Sequence, residues 1–494
     1  MNEFNFYLKK IGEIGKVVSV FCSIVKIEGL PGAKPNEMII TEKGNKGMVY
    51  RLDEETIDVF MFFNQNIETG EKVVRTGESF KILVSDNLLG RIIDPLCGPK
   101  DGLGPIRGKR SYLSVNREAP DIFQRVRVKR FLETGIMVVD LLVPIGYGQR
   151  ELVIGDSKVG KTTFLLQTIF SQARKGVICV YVSIGKETSQ VKMVERYLKE
   201  VGVFEKVVMV VASPSDTSTS IYIAPYTAMT IAEYFRDKGN DVIIIFDDLT
   251  IHAKIYREIS LLLKRSPGRS VYPGDIFHIH AALLERAGNI KDENGEERSI
   301  TAFPVAETSD NDISGYIQTN LMAMTDGHIF FDSDEFKKGR RPAINAFLSV
   351  SRVGNQTKKM IDKEVAMFIR KKIAEYQSVS GVAQFGVELP DDTRKVIDFG
   401  EKIFILLNQS AKIIISREIQ LLLFGLLISG FWEGISHHLM KLMIKQILDG
   451  YKDNKLREIE KEIKKIETLE ELKFFCRDIS PKIVQICYDL SKKN

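Results

Sequence analysis

Residues Gly155 to Thr163 read Gly-Asp-Ser-Lys-Val-Gly-Lys-Thr-Thr, the spacing of a phosphate-binding P-loop. The run Glu151, Leu152, Val153, Ile154 ahead of it predicts a buried strand, and Thr162 to Ala173 reads as an amphipathic helix, which is the context the motif needs. Gly155 and Gly160 let backbone N–H groups turn toward an anion, and the helix N-terminus adds a positive dipole. Lys161 has the length to reach outer phosphates, and Thr162 offers a hydroxyl to Mg2+. Gly155, Asp156, Ser157, Lys158, Val159, Gly160, Lys161, Thr162 and Thr163 are therefore the candidate nucleotide cradle. Further on, Val242 to Phe246 deliver Asp247 and Asp248 to a strand end, a Walker B arrangement whose first carboxylate orients the water shell of Mg2+. Asp247 is the metal candidate beside Thr162, whereas Asp248 fits either a metal role or the fixing of a neighbouring loop. Together the two segments predict binding of Mg-ATP or Mg-ADP.

Three kinds of text position these residues. From Gly15 to about Ile82, short alternating segments (Lys16 to Val20, Glu37 to Ile40, Ile57 to Phe63) punctuated by Gly29, Pro31-Gly32, Gly44 and Gly70 predict a small all-β barrel or sandwich. From about Leu83, apolar runs at Ile178 to Ser183, Val207 to Val211, Val242 to Phe246 and Ile344 to Ser349 alternate with helical stretches, which implies a mostly parallel α/β sheet with ligands at the strand C-termini. Beyond Thr357 the period is helical, in Met360 to Gln377, Lys395 to Asn408 and Arg417 to Trp432, followed by the charged Lys452 to Thr468, a solvated helical surface. The expected fold is thus multidomain: an N-terminal β-barrel (1–82), a central P-loop α/β nucleotide-binding domain (83–357) and a C-terminal α-helical domain (358–494).

The chain of 494 residues carries 70 Lys+Arg against 65 Asp+Glu, a net charge of +5, too slight to argue for a nucleic-acid partner. Five scattered cysteines without metal-ligand spacing fit a reducing compartment. Met1 to Lys10 carries Glu3 and no apolar core, so neither a secretory signal nor a transit peptide is expected. The longest apolar stretch, Leu421 to Trp432, is too short to span a bilayer and predicts a buried helix. His278 and His280, and likewise His437-His438, lack a third ligand and read as structural.

Several blocks carry a specific resemblance. Tyr222-Ile-Ala-Pro-Tyr226, Glu233-Tyr-Phe-Arg-Asp237, Asp247-Asp-Leu-Thr250, Ser260-Leu-Leu-Leu-Lys264, Pro267-Gly-Arg269, Tyr272-Pro-Gly-Asp275 and Leu283-Leu-Glu-Arg286 resemble the alpha subunits of F-type ATP synthases. Arg341-Pro-Ala-Ile-Asn345, Leu348-Ser-Val-Ser-Arg-Val-Gly354 and Val382-Ala-Gln-Phe-Gly386 look like alpha rather than its catalytic sister beta. The resemblance runs from about Gly15 to Glu433. It implies an alternating 3:3 hexamer with beta subunits around a gamma shaft, with a delta subunit and peripheral stalk as further partners and no nucleic acid. It also implies a peripheral place on the cytoplasmic face of an energy-transducing, bacterial-type cell membrane, where proton flow through a separate sector drives ATP synthesis. The family's N-terminal helical extension grips the stalk, yet here Gly15-Lys-Val-Val-Ser-Val20 starts the barrel almost at once, which puts that grip in question.

In beta a glutamate positions the attacking water, directly after the glycine that ends the strand beyond the P-loop. Here Ile184-Gly185 is followed by Lys186, which cannot act as that carboxylate. Alpha subunits usually carry glutamine there, so lysine departs in detail while preserving the loss of the base; Glu187, one residue on, is the alternative under a register shift. The resemblance assigns Arg352 as an arginine finger acting in trans on the adjacent beta site, with Ser349 and Ser351 shaping the interface. It places Arg341, Pro342 and Gln409 around the adenine, with Ala411 where a second glutamine is usual, and Ser157 and Lys158 where arginine and glutamine are common. Two other readings share the P-loop: a diverged alpha-like subunit of a hydrolysing ring coupled to another machine, and a self-sufficient ring motor of nucleic-acid-translocating or export type. The self-sufficient motor needs a catalytic glutamate, and a translocase also needs a base-stacking or basic channel.

Overall fold

The computed structural model describes residues 3–62, 67–292, 294–383 and 390–491. The chain packs as two compact units, one of Met1–Arg127, Tyr147–Ser157 and Gln172–Asp326, the other of Val128–Gly146, Lys158–Ser171 and Gly327–Asn494.

The first unit opens with a helix, Glu3–Ile11, and a closed six-stranded barrel. Its strands, Gly15–Phe21, Ile24–Glu28, Glu37–Thr41, Lys46–Leu52, Thr56–Met61 and Lys72–Ser79, join in the order first, second, fifth, fourth, third, sixth, with the sixth returning to the first. Alternation sends Val17, Val25, Ile39, Val49, Val59 and Val73 inward, while Ile40 and Val74 on the other face are covered by Phe4 of the helix. Register shifts at Val17/Ser19, Glu37/Ile39 and Val49/Arg51 give the local twist that closure requires.

The same unit holds a parallel sheet in the order Arg91–Ile93, Val207–Ala212, Ile178–Ile184, Val242–Asp247, Glu297–Glu307, Glu151–Gly155, with Gly288–Lys291 antiparallel beside Glu297–Glu307. The strands Ile178–Ile184, Val207–Ala212 and Val242–Asp247 are buried at every position, which is why they read as unbroken aliphatic runs rather than alternating ones. Helix Ser218–Asp237, capped by the Thr217 hydroxyl at the Ser220 N–H, packs on them and is buried on nearly every side. Its Glu233 accepts from Arg286 Nε at 2.8 Å and Nη2 at 2.9 Å, both side chains 2% exposed, and Arg286 also donates to the Val115 carbonyl and the Thr230 hydroxyl.

Beyond two short antiparallel pairs, Phe131–Leu132 with Ile145–Gly146 and Gly327–Phe331 with Val350–Ser351, the second unit is helical. Its C-terminal helices are Met360–Ala383, Asp391–Leu407, Arg417–Ile428, His437–Lys452, Arg457–Ile463 and Leu469–Ser491. Leu421 to Ile428 of the apolar stretch lie in a helix, Arg417–Ile428, whose Ile419 to Leu427 are all buried, while Ser429 to Trp432 turn out of it. A Cβ at Gly425 would lie 2.6 Å from Cys476 Sγ, so the helices approach there on glycine. Among the described residues no helix is long and apolar enough to cross a membrane.

Two expectations change. Ile344 to Ser349 is not a strand: Ile344 makes an isolated bridge to Phe331, and Asn345 then turns the chain by accepting the Phe347 and Leu348 N–H groups on its side chain. The charged run Lys452 to Thr468 is not one helical surface but a helix end, a turn with Asn454 at φ 59° and the seven-residue Arg457–Ile463. Ile459 and Ile463 are buried, so even this run carries an inward face.

Removing one partner of a buried, hydrogen-bonded ion pair leaves the other charge uncompensated. Glu233→Ala is therefore expected to cost about 3–5 kcal/mol, read as an earlier urea transition, with the far-UV spectrum in buffer unchanged.

Candidate functional site

The C-terminal edge of the parallel sheet gathers the candidate residues of the first unit. Register pairs Gly155 with Glu307 and Ser183 with Asp247, so the strand ends at 155, 307, 247 and 184 share one edge. The P-loop leaves this edge after Gly155. Its loop residues adopt left-handed backbone at Lys158 (φ 64°) and Gly160 (φ 108°) before the helix Lys161–Ala173 starts. Lys158 is a non-glycine residue in that region, at a cost of about 1–2 kcal/mol. Val159 and Lys161 are buried, Thr162 is half-buried, and Ser157, Lys158 and Thr163 are exposed. Asp156 pins the exit of the neighbouring strand: its Oδ1 accepts the Thr308 hydroxyl at 2.6 Å and the Asn311 N–H at 3.1 Å, while the Gly155 carbonyl accepts the Thr308 N–H. Asp156 thus braces the loop within the protein.

Asp247 ends its strand with both carboxylate oxygens engaged. Oδ2 accepts the hydroxyl of Tyr181, and Oδ1 lies 3.2 Å from the ammonium of Lys186. Lys186 also sits 3.7 Å from Asp248 Oδ2, while Asp248 Oδ1 accepts the Ile251 N–H at 2.8 Å and caps helix Leu249–Leu262. Of the two sequence readings of Asp248, the structure therefore displays the loop- and helix-fixing one. Gly185, at φ 61° and with Ile251 Cγ2 2.8 Å from where a Cβ would stand, makes the turn that aims Lys186. Burial works against the ammonium, but Asp247 and Asp248 outweigh it and raise its pKa. Burial pushes Asp248 up to about 6 against the pull of Lys186. Burial and then Asp247 drive the Tyr181 phenol well above its ordinary range, so it remains a donor. Glu187 is exposed at the start of helix Thr188–Glu200, where the Ser189 hydroxyl donates to it; Lys186, not Glu187, reaches the two carboxylates. Among the described residues no group of three or more His, Cys, Asp or Glu is placed to hold a metal ion. In this structure the charge of Asp247 is matched by Lys186.

In the second unit, Arg341 and Pro342 line a cavity with Val138, Phe347, Phe404 and Asn408. Arg340 lies over the ring of Phe404 at 3.4 Å and Arg341 over Phe336 at 3.6 Å. Gln409 is buried, and its amide is taken up by backbone: Oε1 accepts the Met137 N–H at 3.0 Å, and Nε2 donates to the Gly135 and Ile413 carbonyls at 2.7 and 2.6 Å. It ties down the start of helix Met137–Leu142. Ser349 is likewise buried, accepting the Phe330 N–H and donating to the Asn345 carbonyl. Arg352 is exposed, next to the exposed apolar Phe347, Leu348 and Val350. The chain around it is fixed: the Ser351 hydroxyl donates to the Pro144 carbonyl at 2.6 Å and accepts the Gly354 N–H, and a Cβ on Gly354 would lie 1.6 Å from Pro144 O. Of the block at 382–386, residues 384–386 lie outside the described residues.

The histidines resolve differently from any metal site. His278 is exposed, whereas His280 is buried with Nε2 3.0 Å from Nδ1 of His252, whose Nε2 lies 3.0 Å from the Tyr222 carbonyl. A carbonyl only accepts, so His252 carries its hydrogen on Nε2 and takes the His280 Nε2–H on Nδ1. The His252 ring is thereby neutral. Sequence reasoning missed His252 and Tyr181; the one signal for Tyr181 was a lone phenol inside an otherwise aliphatic strand, Ile178–Ile184.

Comparison with known proteins agrees in two stretches and along the whole chain. Residues 135–351 match the model of the ATP synthase alpha/beta family, nucleotide-binding domain, and residues 356–474 that of the ATP synthase alpha/beta chain, C terminal domain. The chain is 41% identical over 440 residues to ATP synthase subunit alpha of Helicobacter acinonychis (strain Sheeba), covering 89% of this chain and 86% of that relative. It is 40% identical over 449 residues to its counterpart in Neorickettsia sennetsu (strain ATCC VR-367 / Miyayama), covering 89% and 88%, and 39% identical over 475 residues to that of Helicobacter pylori (strain Shi470), covering 94% of each.

Burial lowers the pKa of His252 to about 4 and that of His280 well below its ordinary value. Below about pH 6.5 the unfolded chain takes up protons on these rings and the folded chain does not. Stability is therefore expected to fall as pH drops from about 6.5 toward 4, and the double variant His252→Gln/His280→Gln should flatten that slope in urea titrations at stepped pH.

Proposed function

Because the chain belongs to the ATP synthase alpha/beta family, among its alpha subunits, we propose that it is the non-catalytic, nucleotide-binding member of a ring alternating with beta subunits. The observation that carries this reading is Lys186, a cation paired with Asp247 and Asp248 at the position where a water-activating carboxylate is needed. On this reading residues 1–82, 83–357 and 358–494 are the barrel, nucleotide and helical domains. ATP or ADP lies on the P-loop from Gly155 to Thr163, with Lys161 on the outer phosphates and Arg341 and Pro342 at the wall of the base pocket. Gln409 acts from behind by fixing the Gly135–Met137 backbone rather than by bonding the base. Mg2+, when it accompanies the nucleotide, supplies charge neutralisation of the phosphates and meets the Thr162 hydroxyl.

The chain's contribution to chemistry is Arg352, offered in trans to the catalytic site of a neighbouring beta subunit. An exposed guanidinium on a rigid platform, flanked by exposed Phe347, Leu348 and Val350, supports a place at a subunit boundary. There it stabilises charge on the transferring phosphoryl group, while Ser349 and Ser351 hold the backbone that aims it. The assembly we infer is a 3:3 hexamer around a gamma shaft, joined to a delta subunit and peripheral stalk. It lies peripherally on the cytoplasmic face of an energy-transducing bacterial-type membrane, with proton flow through a separate sector coupled to ATP synthesis.

ATP hydrolysis by the chain alone, and by the ring reconstituted with beta and gamma, tests both halves. The isolated chain is expected to be inert. Arg352→Ala in the ring should lower turnover by about 10³-fold or more with nucleotide binding to the altered chain unchanged. Robust hydrolysis by the isolated chain would point instead to a self-sufficient motor.

A further inference from the structure

Asp247 and Asp248 stand at the end of a strand with almost no exposure to water, and a buried carboxylate pair is strongly unfavourable without a cation. In a site organised around a divalent ion, that ion supplies the missing charge when the nucleotide arrives. Here the charge is built into the chain. Lys186 places its ammonium 3.2 Å from Asp247 Oδ1 and 3.7 Å from Asp248 Oδ2, and the remaining oxygens accept from the Tyr181 hydroxyl and the Ile251 N–H. Both Asp247 oxygens are thereby engaged, while Asp248 Oδ2, buried without a hydrogen-bond partner, has the Lys186 ammonium at 3.7 Å as its compensating charge.

The position of the ammonium matters as much as its charge. Ser183 pairs with Asp247 on adjacent strands, and Lys186 follows three residues beyond Ser183, at the C-terminal edge from which Gly155 opens the phosphate loop. Only two strand spacings, about 10 Å, separate the columns that end in Gly155 and Asp247. A lysine ammonium has three N–H donors and no acceptor; one reaches Asp247 Oδ1 at 3.2 Å, Asp248 Oδ2 at 3.7 Å is compensated by charge alone, and a further N–H matches a phosphate oxygen, as a lysine point charge does in other phosphate sites. A dication brought to Asp247 would meet the ammonium at close range and be repelled by it.

We propose that Lys186 is the resident cation of this nucleotide site, so that the chain binds ATP or ADP with little dependence on Mg2+. The proposal rests on the nucleotide-binding reading above and deepens it: the ligand is the metal-free nucleoside di- or triphosphate as readily as its magnesium complex. It also gives Asp247 a different task, that of holding Lys186 rather than a metal's water shell.

Calorimetric titration of the full-length chain with ADP, in excess Mg2+ and in excess EDTA, tests it. The native chain is expected to show affinities within about threefold of each other. Lys186→Gln, which frees Asp247, should bind at least about tenfold more tightly with Mg2+ than with EDTA, whereas Lys186→Arg, which keeps the charge, should stay close to indifferent. A native chain that binds ADP but loses about tenfold or more in EDTA overturns the proposal and leaves the nucleotide reading standing. A native chain that binds ADP in neither condition overturns both. A native chain and a folded Lys186→Gln chain that are equally indifferent to Mg2+ overturn the assignment to Lys186. The native comparison decides the Mg2+ question even where Lys186→Gln does not fold.

Discussion

In-register parallel pairing of aliphatic strands is the constraint on which the chemistry of this chain rests. Ile178–Ile184 pairs residue for residue with Val207–Ala212 on one side and Val242–Asp247 on the other, and Glu297–Glu307 carries the ladder on to Glu151–Gly155. Parallel strands need coverage on both faces, so their interiors can hold almost nothing polar. The candidate residues that this sheet carries therefore stand at its strand ends, and a common direction makes those ends one edge. Gly155, Ile184, Asp247 and Glu307 meet there because the sheet leaves them nowhere else to go. A one-residue slip in any of these strands would turn its side chains to the opposite face and dismantle the edge.

Charge compensation is the second constraint, and it is met repeatedly by the chain itself. Glu233 is matched by Arg286 in the interior, Asp362 by Arg417, and the Asp247–Asp248 pair by Lys186. His252 and His280 take the other solution and stay neutral, one ring donating to the next and that one to a carbonyl. Amides are satisfied in the same manner: Gln409 and Gln420 end on backbone or on Asp140. In each case the low dielectric of the interior makes a complete network favourable and an incomplete one costly. The consequence for function is specific. The lysine after Gly185 is the cation that the two carboxylates hold in this structure.

Much of this was legible in the residues. The P-loop and the strand ending in Asp247 follow from spacing and periodicity alone, because local backbone preference and burial agree there, whereas the glycine-punctuated N-terminal segments read equally as barrel or sandwich until strand pairing closes them. Ile344 to Ser349 was legible only as an apolar run, since nothing in its composition reveals that the Asn345 side chain would outcompete a ladder for the next two N–H groups. Lys186 was legible as the loss of a carboxylate, but its partnership was not: the pairing spans about sixty residues of sequence and exists only because two strands lie side by side. The same holds for Asp156, which reads as a loop residue beside phosphate and whose carboxylate bonds Thr308 and Asn311.

What the sequence determined by itself is the set of elements and the kind of ligand. Hydrophobic period fixes strand or helix within a window of ten or so residues, and the glycine, lysine and threonine of the P-loop carry their chemistry in their own spacing. The tertiary structure alone decided how the polar groups are shared: that Tyr181 and Lys186 occupy Asp247, that Gln409 and Ser349 are braces, and that Arg352 stands exposed on a fixed turn. The physical reason is range. Periodicity and loop geometry are properties of neighbours along the chain, whereas a hydrogen bond or ion pair depends on angstrom-scale distances between segments that only the packed fold brings together.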